Sequence, residues 1–127
     1  MFDKGLLKDK VAVVTGGGTG IGRVVAEELS AHGASVVLAA RQLDRIESLA
    51  KELSAKGARA IAVATDISDF KQVGALFDRV DGEFGRVDIL VNNAAANFIR
   101  PSETLTAVRW KKVIDIVLHG SFFCSLE

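Results

Sequence analysis

The stretch Val11-Ala12-Val13-Val14-Thr15-Gly16-Gly17-Gly18-Thr19-Gly20-Ile21-Gly22 decides how this chain folds. Four apolar residues run straight into a turn made almost entirely of glycine. An amphipathic helix is expected at once after it, with Ile21, Val24, Val25 and Leu29 on one face. Strand, glycine turn and helix together form the context of a phosphate-binding loop. The first N–H groups of a helix have no partner inside it, and the helix dipole adds partial positive charge there. A diphosphate can sit at that end only where no Cβ stands in the way, which glycine ensures.

The spacing narrows the reading. A strict G-x-G-x-x-G pattern starting at Gly18 fails, because its third glycine position holds Arg23. No Gly-Lys-Ser/Thr follows, so the loop is not that of a nucleoside triphosphatase. What stands here is Thr15-Gly16, three residues, Gly20, one residue, Gly22. The competing reading is a glycine turn that merely lets a helix pack closely on a strand.

Strand and helix patterns alternate outward from this point. Strands are expected at Val11–Thr15, Ser35–Ala39, Ala60–Ala64 and Val87–Val91. The first helix runs to His32 and is closed by Gly33. The second spans Asp44–Lys56, with Ile46, Leu49, Ala50 and Leu53 inward. The third is capped by Ser68 or Asp69, buries Val73, Leu76, Phe77 and Val80, and ends near Gly85. The strands are short apolar runs, as in a sheet covered on both faces. Three successive crossovers imply an α/β fold, a doubly wound parallel sheet of the Rossmann type in the order 3-2-1-4. The ligand crevice then lies between strands 1 and 4, where the winding reverses. After a loop, Asn92–Leu105, Thr106 caps a last helix whose expected inward face is Trp110, Val113, Ile114, Val117 and Leu118. Gly120 in that helix is expected to admit a close neighbour.

Composition excludes several alternatives. The 127 residues suit one domain, and 16 basic residues balance 16 acidic ones. Nothing in that balance favours nucleic acid or an anionic membrane as partner. No apolar run approaches the ~20 residues of a bilayer span. His and Cys do not cluster, so no metal site is expected. His32 and His119 read as a helix-end and a helix-surface residue. The one cysteine, Cys124, and an N-terminus without targeting character lead to a cytoplasmic expectation. The chain contains no tyrosine.

The end of strand 2 selects the cofactor. An acid there would hydrogen-bond the ribose hydroxyls of NAD, but the strand ends Ala39-Ala40-Arg41-Gln42. Arg41 is placed to meet a 2′-phosphate, which points to NADP(H). A solvated loop arginine is the plainer alternative.

Thr15-Gly16-x-x-x-Gly20-x-Gly22, Asp66 at the end of strand 3 and Asn92-Asn93-Ala94-Ala95 at the end of strand 4 together resemble the short-chain dehydrogenases/reductases. The resemblance covers nearly the whole chain but only the first half of the usual domain. It implies a cofactor site built from Thr15, Gly16, Gly18, Thr19, Gly20, Ile21, Gly22, Arg41, Gln42, Asp66, Ile67, Asn93, Ala94 and Ala95. Asp66 would accept a hydrogen bond from the adenine amino group; a local turn or cap is its other reading.

Within the family, Asn92 to Pro101, with Asn97-Phe98-Ile99, is similar to the 2,4-dienoyl-CoA reductases, as is Trp110 to Ser125. These enzymes also lack the usual family asparagine, where this chain has Val117. The departures are Ala96 for Gly and His119 for Asn. The resemblance implies an acyl-CoA thioester substrate, lined by Phe98 and Thr106. Asn97 would be a catalytic hydrogen-bond donor to the thioester oxygen; otherwise it caps its own loop. It also implies a homo-oligomer through the last helix, and a Ser, Tyr and Lys beyond strand 4 that these 127 residues do not include. The sheet is therefore expected to be truncated before strand 5, the chain being the first part of a longer domain. Two alternatives stay open: a 3-oxoacyl or alcohol reductase of the same family, and a non-catalytic nucleotide-binding fragment.

Overall fold

The computed structural model describes residues 2–127. Strand β1 (Val11–Thr15) is central. It pairs in parallel with β2 (Ser35–Ala40) on one side and β4 (Ile89–Val91) on the other, and β3 (Ala60–Ala64) lies outside β2. The order is β3-β2-β1-β4, as the crossover pattern predicts. Val13 stands opposite both Val37 and Leu90.

Alternate residues of each strand face opposite sides, and both sides are covered. Ala12, Val14, Val36 and Leu38 pack on Ala26 of helix α1 (Gly20–Ala31) and on Ile46, Leu49 and Leu53 of helix α2 (Leu43–Ala55). Val11, Val13, Val37 and Ala39 pack on Leu76 and Val80 of helix α3 (Phe70–Phe84). This two-sided burial is why the strands read as apolar runs rather than as alternations. Asp69, not Ser68, caps α3: its carboxylate accepts from the Lys71 N–H at 3.0 Å.

Two expectations about β4 and α1 are corrected. Strand β4 begins at Ile89, not Val87. The Asp88 carboxylate accepts the Val11 N–H at 2.9 Å, so a side chain closes the ladder there. On α1, Ile21 and Val24 face solvent, while Gly22 and Ala26 are buried and Val25 and Leu29 pack on the core. The smallest side chains determine which way this helix is turned, because they allow the closest approach to the sheet.

The last helix differs most. It comprises α4 (Ala107–Ile114), one π-helical turn (Asp115–Gly120) and α5 (Ser121–Leu126). Thr106 caps it, accepting from the Arg109 N–H at 3.3 Å. The buried positions are Ile116, Gly120 and Cys124, packed with Ile67 and Val73. Trp110, Val117 and Leu118, expected inside, are exposed, and Val113 and Ile114 are half-buried. Close approach to Ile67, rather than the most apolar stripe, sets the inward face of this helix. Gly120 does admit a close neighbour: a Cβ there would lie 2.6 Å from Ile67 Cδ1.

Candidate functional site

The site begins with a joint between two strand ends. Thr15 is fully buried. Its hydroxyl donates to the Val91 carbonyl at 3.3 Å and accepts from the Asn93 and Ala94 N–H groups, each at 3.1 Å. The Asn93 side-chain amide returns the link, donating to the Thr15 carbonyl at 2.9 Å and the Gly16 carbonyl at 3.2 Å. Gly22 closes the same knot, since a Cβ there would overlap the Gly16 carbonyl oxygen and the Asn93 amide. Thr15 and Gly22, expected in the cofactor site, lie beneath the glycine turn and shape it.

Above this joint, a cavity of about 500 Å³ opens at the carboxyl ends of the strands. Gly16, Gly18 and Thr19 line it from the glycine turn. Arg41, Gln42 and Arg45 line it from the end of β2 and the start of α2, and Asp66 and Ile67 from the end of β3. Asn93, Ala94 and Ala95 complete it from the end of β4. Gly20 and Ile21 do not line it, and Ile21 is 77% exposed. Sequence reasoning missed Ala39, Ala40, Thr65, Ile116 and above all Arg45. The signal for Arg45 was present: it follows Arg41 by four residues, on the first turn of a helix leaving the same strand end.

The cavity is suited to an anion. Neither α1 nor α2 has a side-chain cap at its start, whereas α3 and α4 each have one. The free N–H groups at the start of α1 and the guanidinium groups of Arg41 and Arg45 are complementary to phosphate. Gly18 brings the turn against the second helix, where a Cβ would stand 3.1 Å from Ile46 Cγ2. Asp66 is the one carboxylate in the lining. One of its oxygens accepts from the Ser68 N–H at 3.0 Å and hydroxyl at 2.6 Å, so the local-turn reading describes one of its two oxygens.

Beyond β4 the chain is open. Asn97 is exposed, and its Oδ1 accepts from the Phe98 N–H at 2.8 Å. That bond is the loop-capping role, and it leaves the amide NH₂ available as a donor. Neither Asn97, Phe98 nor Thr106 lines the cavity. Phe98 is half-buried, with the Arg109 guanidinium 5.6 Å from its ring centroid.

The other polar candidates are structural. Cys124 is buried, and burial pushes its thiol up, away from the thiolate needed for attack. His32 ends α1, with Nδ1 2.8 Å from the Glu28 carbonyl, and His119 lies on the surface beside Asp115 at 3.1 Å. Among the described residues no group of three His, Cys, Asp or Glu side chains could hold a metal ion. No helix among them is long and apolar enough to cross a membrane.

Comparison with known proteins agrees with this architecture. The family model for short chain dehydrogenase matches residues 10–127. A peroxisomal 2,4-dienoyl-CoA reductase of Danio rerio is 42% identical over 96% of this chain and 41% of its own length. A probable 2,4-dienoyl-CoA reductase of Caenorhabditis elegans is 45% identical over 97% of this chain and 40% of its own. The chain thus spans about two fifths of these relatives. Among solved structures, a citronellol catabolism dehydrogenase of Pseudomonas aeruginosa superposes with a TM-score of 0.93. It is 35% identical, over all of this chain and 52% of that one. With a buried strand joint beneath an anion-complementary crevice and a family match over nearly its whole length, the chain belongs to the short-chain dehydrogenase family.

Proposed function

We propose that the crevice binds NADP(H) and that the protein reduces 2,4-dienoyl-CoA thioesters. The observation that carries the cofactor choice is the pair Arg41 and Arg45 on the cavity wall, with no carboxylate lining that side. A 2′-phosphate gains charge-assisted hydrogen bonds from them, and a bare 2′-hydroxyl does not. The glycine turn and the start of α1 hold the diphosphate, and the remaining Asp66 oxygen accepts from the adenine amino group. When bound, NADPH supplies the hydride.

The substrate reading rests on the loop Asn92–Pro101 and on the names of the relatives. Reduction of a conjugated thioester places negative charge on the carbonyl oxygen, and a positioned neutral donor lowers that barrier. Asn97 fills this role with the amide hydrogens its local bond leaves over. Phe98 and Thr106 flank the acyl chain. On this reading the 127 residues bind cofactor, and the proton donor lies outside them. Homo-oligomers form through the exposed apolar stripe of the last helix, Trp110, Leu118 and Phe122.

A second reading, interconversion of a ketone or 3-oxoacyl group with its alcohol, is favoured by the high superposition on the citronellol catabolism dehydrogenase. The deciding experiment uses the full-length polypeptide. NADPH and NADH are titrated against wild type, Arg41→Ala and Arg45→Ala, and turnover is followed with a dienoyl-CoA or a 3-oxoacyl-CoA plus reduced cofactor and with an alcohol plus oxidised cofactor. Each variant is expected to weaken NADPH binding about tenfold or more and to leave NADH affinity nearly unchanged. Equal losses for both nucleotides refute the assignment of NADP(H). Turnover of the 3-oxoacyl-CoA or the alcohol, with none of the dienoyl-CoA, replaces the substrate.

A further inference from the structure

The balanced charge of the whole chain conceals one local excess. Between residues 100 and 112 stand Arg100, Arg109, Lys111 and Lys112, with Glu103 as the one acid. Lys111 is paired, its Nζ 2.5 Å from Asp115. Among the described residues, Arg100, Arg109 and Lys112 make no ion pair within 4.0 Å.

Two of these cations are folded over the same loop. Arg109 lies on the first turn of α4, with its guanidinium 5.6 Å from the Phe98 ring centroid. Arg100, two residues after Phe98, reaches forward to the Thr104 carbonyl, its Nη1 donating at 3.4 Å. Thr104 stands two residues before Thr106, whose hydroxyl accepts the Arg109 N–H. The two side chains therefore approach the segment Phe98–Thr106 from its opposite ends, one by the aromatic ring and one by the backbone. Each keeps donors free. These cations stand apart from Arg41 and Arg45, which line the cofactor cavity.

We infer that Arg100 and Arg109 form an anion subsite for the phosphates of the coenzyme A carrier, at the mouth of the acyl site. The inference rests on the thioester reading above. Coenzyme A carries a diphosphate and a 3′-phosphate, and the planar guanidinium fork matches phosphate oxygens two at a time. The subsite recognises the handle of the substrate, while Asn97 serves its reacting carbonyl. Because the cations are exposed, their attraction is screened by salt.

The test compares one 2,4-dienoyl group carried on coenzyme A and on pantetheine, which lacks the phosphates, in the full-length polypeptide with NADPH. In Arg100→Ala/Arg109→Ala, the KM for the coenzyme A thioester is expected to rise about tenfold relative to that for the pantetheine thioester. The salt dependence of kcat/KM should flatten with it, and Arg→Lys at both positions should restore part of the ratio. Free coenzyme A, titrated directly, should bind the double variant about tenfold more weakly than wild type. An unchanged ratio of the two KM values, with coenzyme A bound as tightly as by wild type, overturns the subsite. If wild type reduces neither thioester, the dienoyl reading falls, and weakened coenzyme A binding in the variant still supports the subsite.

Discussion

The end of β1 and the surface after β4 are built on opposite principles. At the first, the components are packed together: Thr15 is fully buried, Gly22 is packed against the Gly16 carbonyl, and the Asn93 amide is spent on backbone oxygens. At the second, Asn97 and Ile99 stand in solvent, and the stripe Trp110, Leu118 and Phe122 is exposed. The first region is a rigid cradle for the part of a ligand common to many reactions. On the proposed reading the second carries the groups that distinguish one substrate from another, while Ala96, Ile116 and Cys124 anchor it to the core. On that reading, cofactor binding and substrate choice rest on separate residues.

Substitutions can break this contrast or sharpen it. Gly22→Val should act most strongly, because the added atoms overlap backbone that cannot yield. A loss of about 3 kcal/mol is expected in urea unfolding, together with loss of nucleotide binding. A stable, nucleotide-binding Gly22→Val protein would show that the joint is not rigid. Thr15→Val keeps the shape but strands the Asn93 and Ala94 N–H groups in the interior, at about 2 kcal/mol, and Thr15→Ser should recover most of it. On the outer side, Thr106→Ala removes the α4 cap and should cost about 1 kcal/mol by the same measurement. Ile99→Ser, at a fully exposed position, should change stability by no more than about 0.5 kcal/mol. A larger loss would mean that the outer loop is packed in solution.

Acid separates a further contribution. The Gln72 side-chain amide, followed by the Lys71 and Gln72 N–H groups, holds the Asp69 carboxyl below its ordinary 3.8. A depressed carboxyl stabilises the fold above its unfolded value, and that stabilisation is lost as pH falls through the lower folded value. Thermal midpoints measured from neutral pH down through the carboxylate range should fall in acid. Asp69→Asn should make the fall shallower, leaving the similarly lowered Asp88 and Asp115 to account for the rest. An unchanged acid profile in this variant would remove Asp69 from the account.

The contrast also explains what was legible in the sequence. Strands β1 and β3, the sheet order and the glycine turn were readable because local pattern and burial agree there. Arg41, Gln42, Asp66 and Asn93 fall on strand ends, which the topology brings to one crevice. The last helix was misread because its most apolar stripe is not its buried one. Ile116, Gly120 and Cys124 face inward because Ile67 needs room at Gly120, a requirement made by a residue more than fifty positions away. The same logic turned α1: Gly22 and Ala26, the small residues, chose the inner face over Ile21 and Val24. Periodicity records where apolar residues are, and close approach decides which of them are covered.

The Thr15 joint also puts a clock on the birth of the site. Its hydroxyl meets a backbone amide 79 residues further along the chain. At typical rates of synthesis, roughly 4–16 s separate the appearance of Thr15 from that of Ala94. Throughout that interval the glycine turn exists without its lock. A nucleotide that needs the finished cradle can reward only the closing step, so the early strands must find one another unaided.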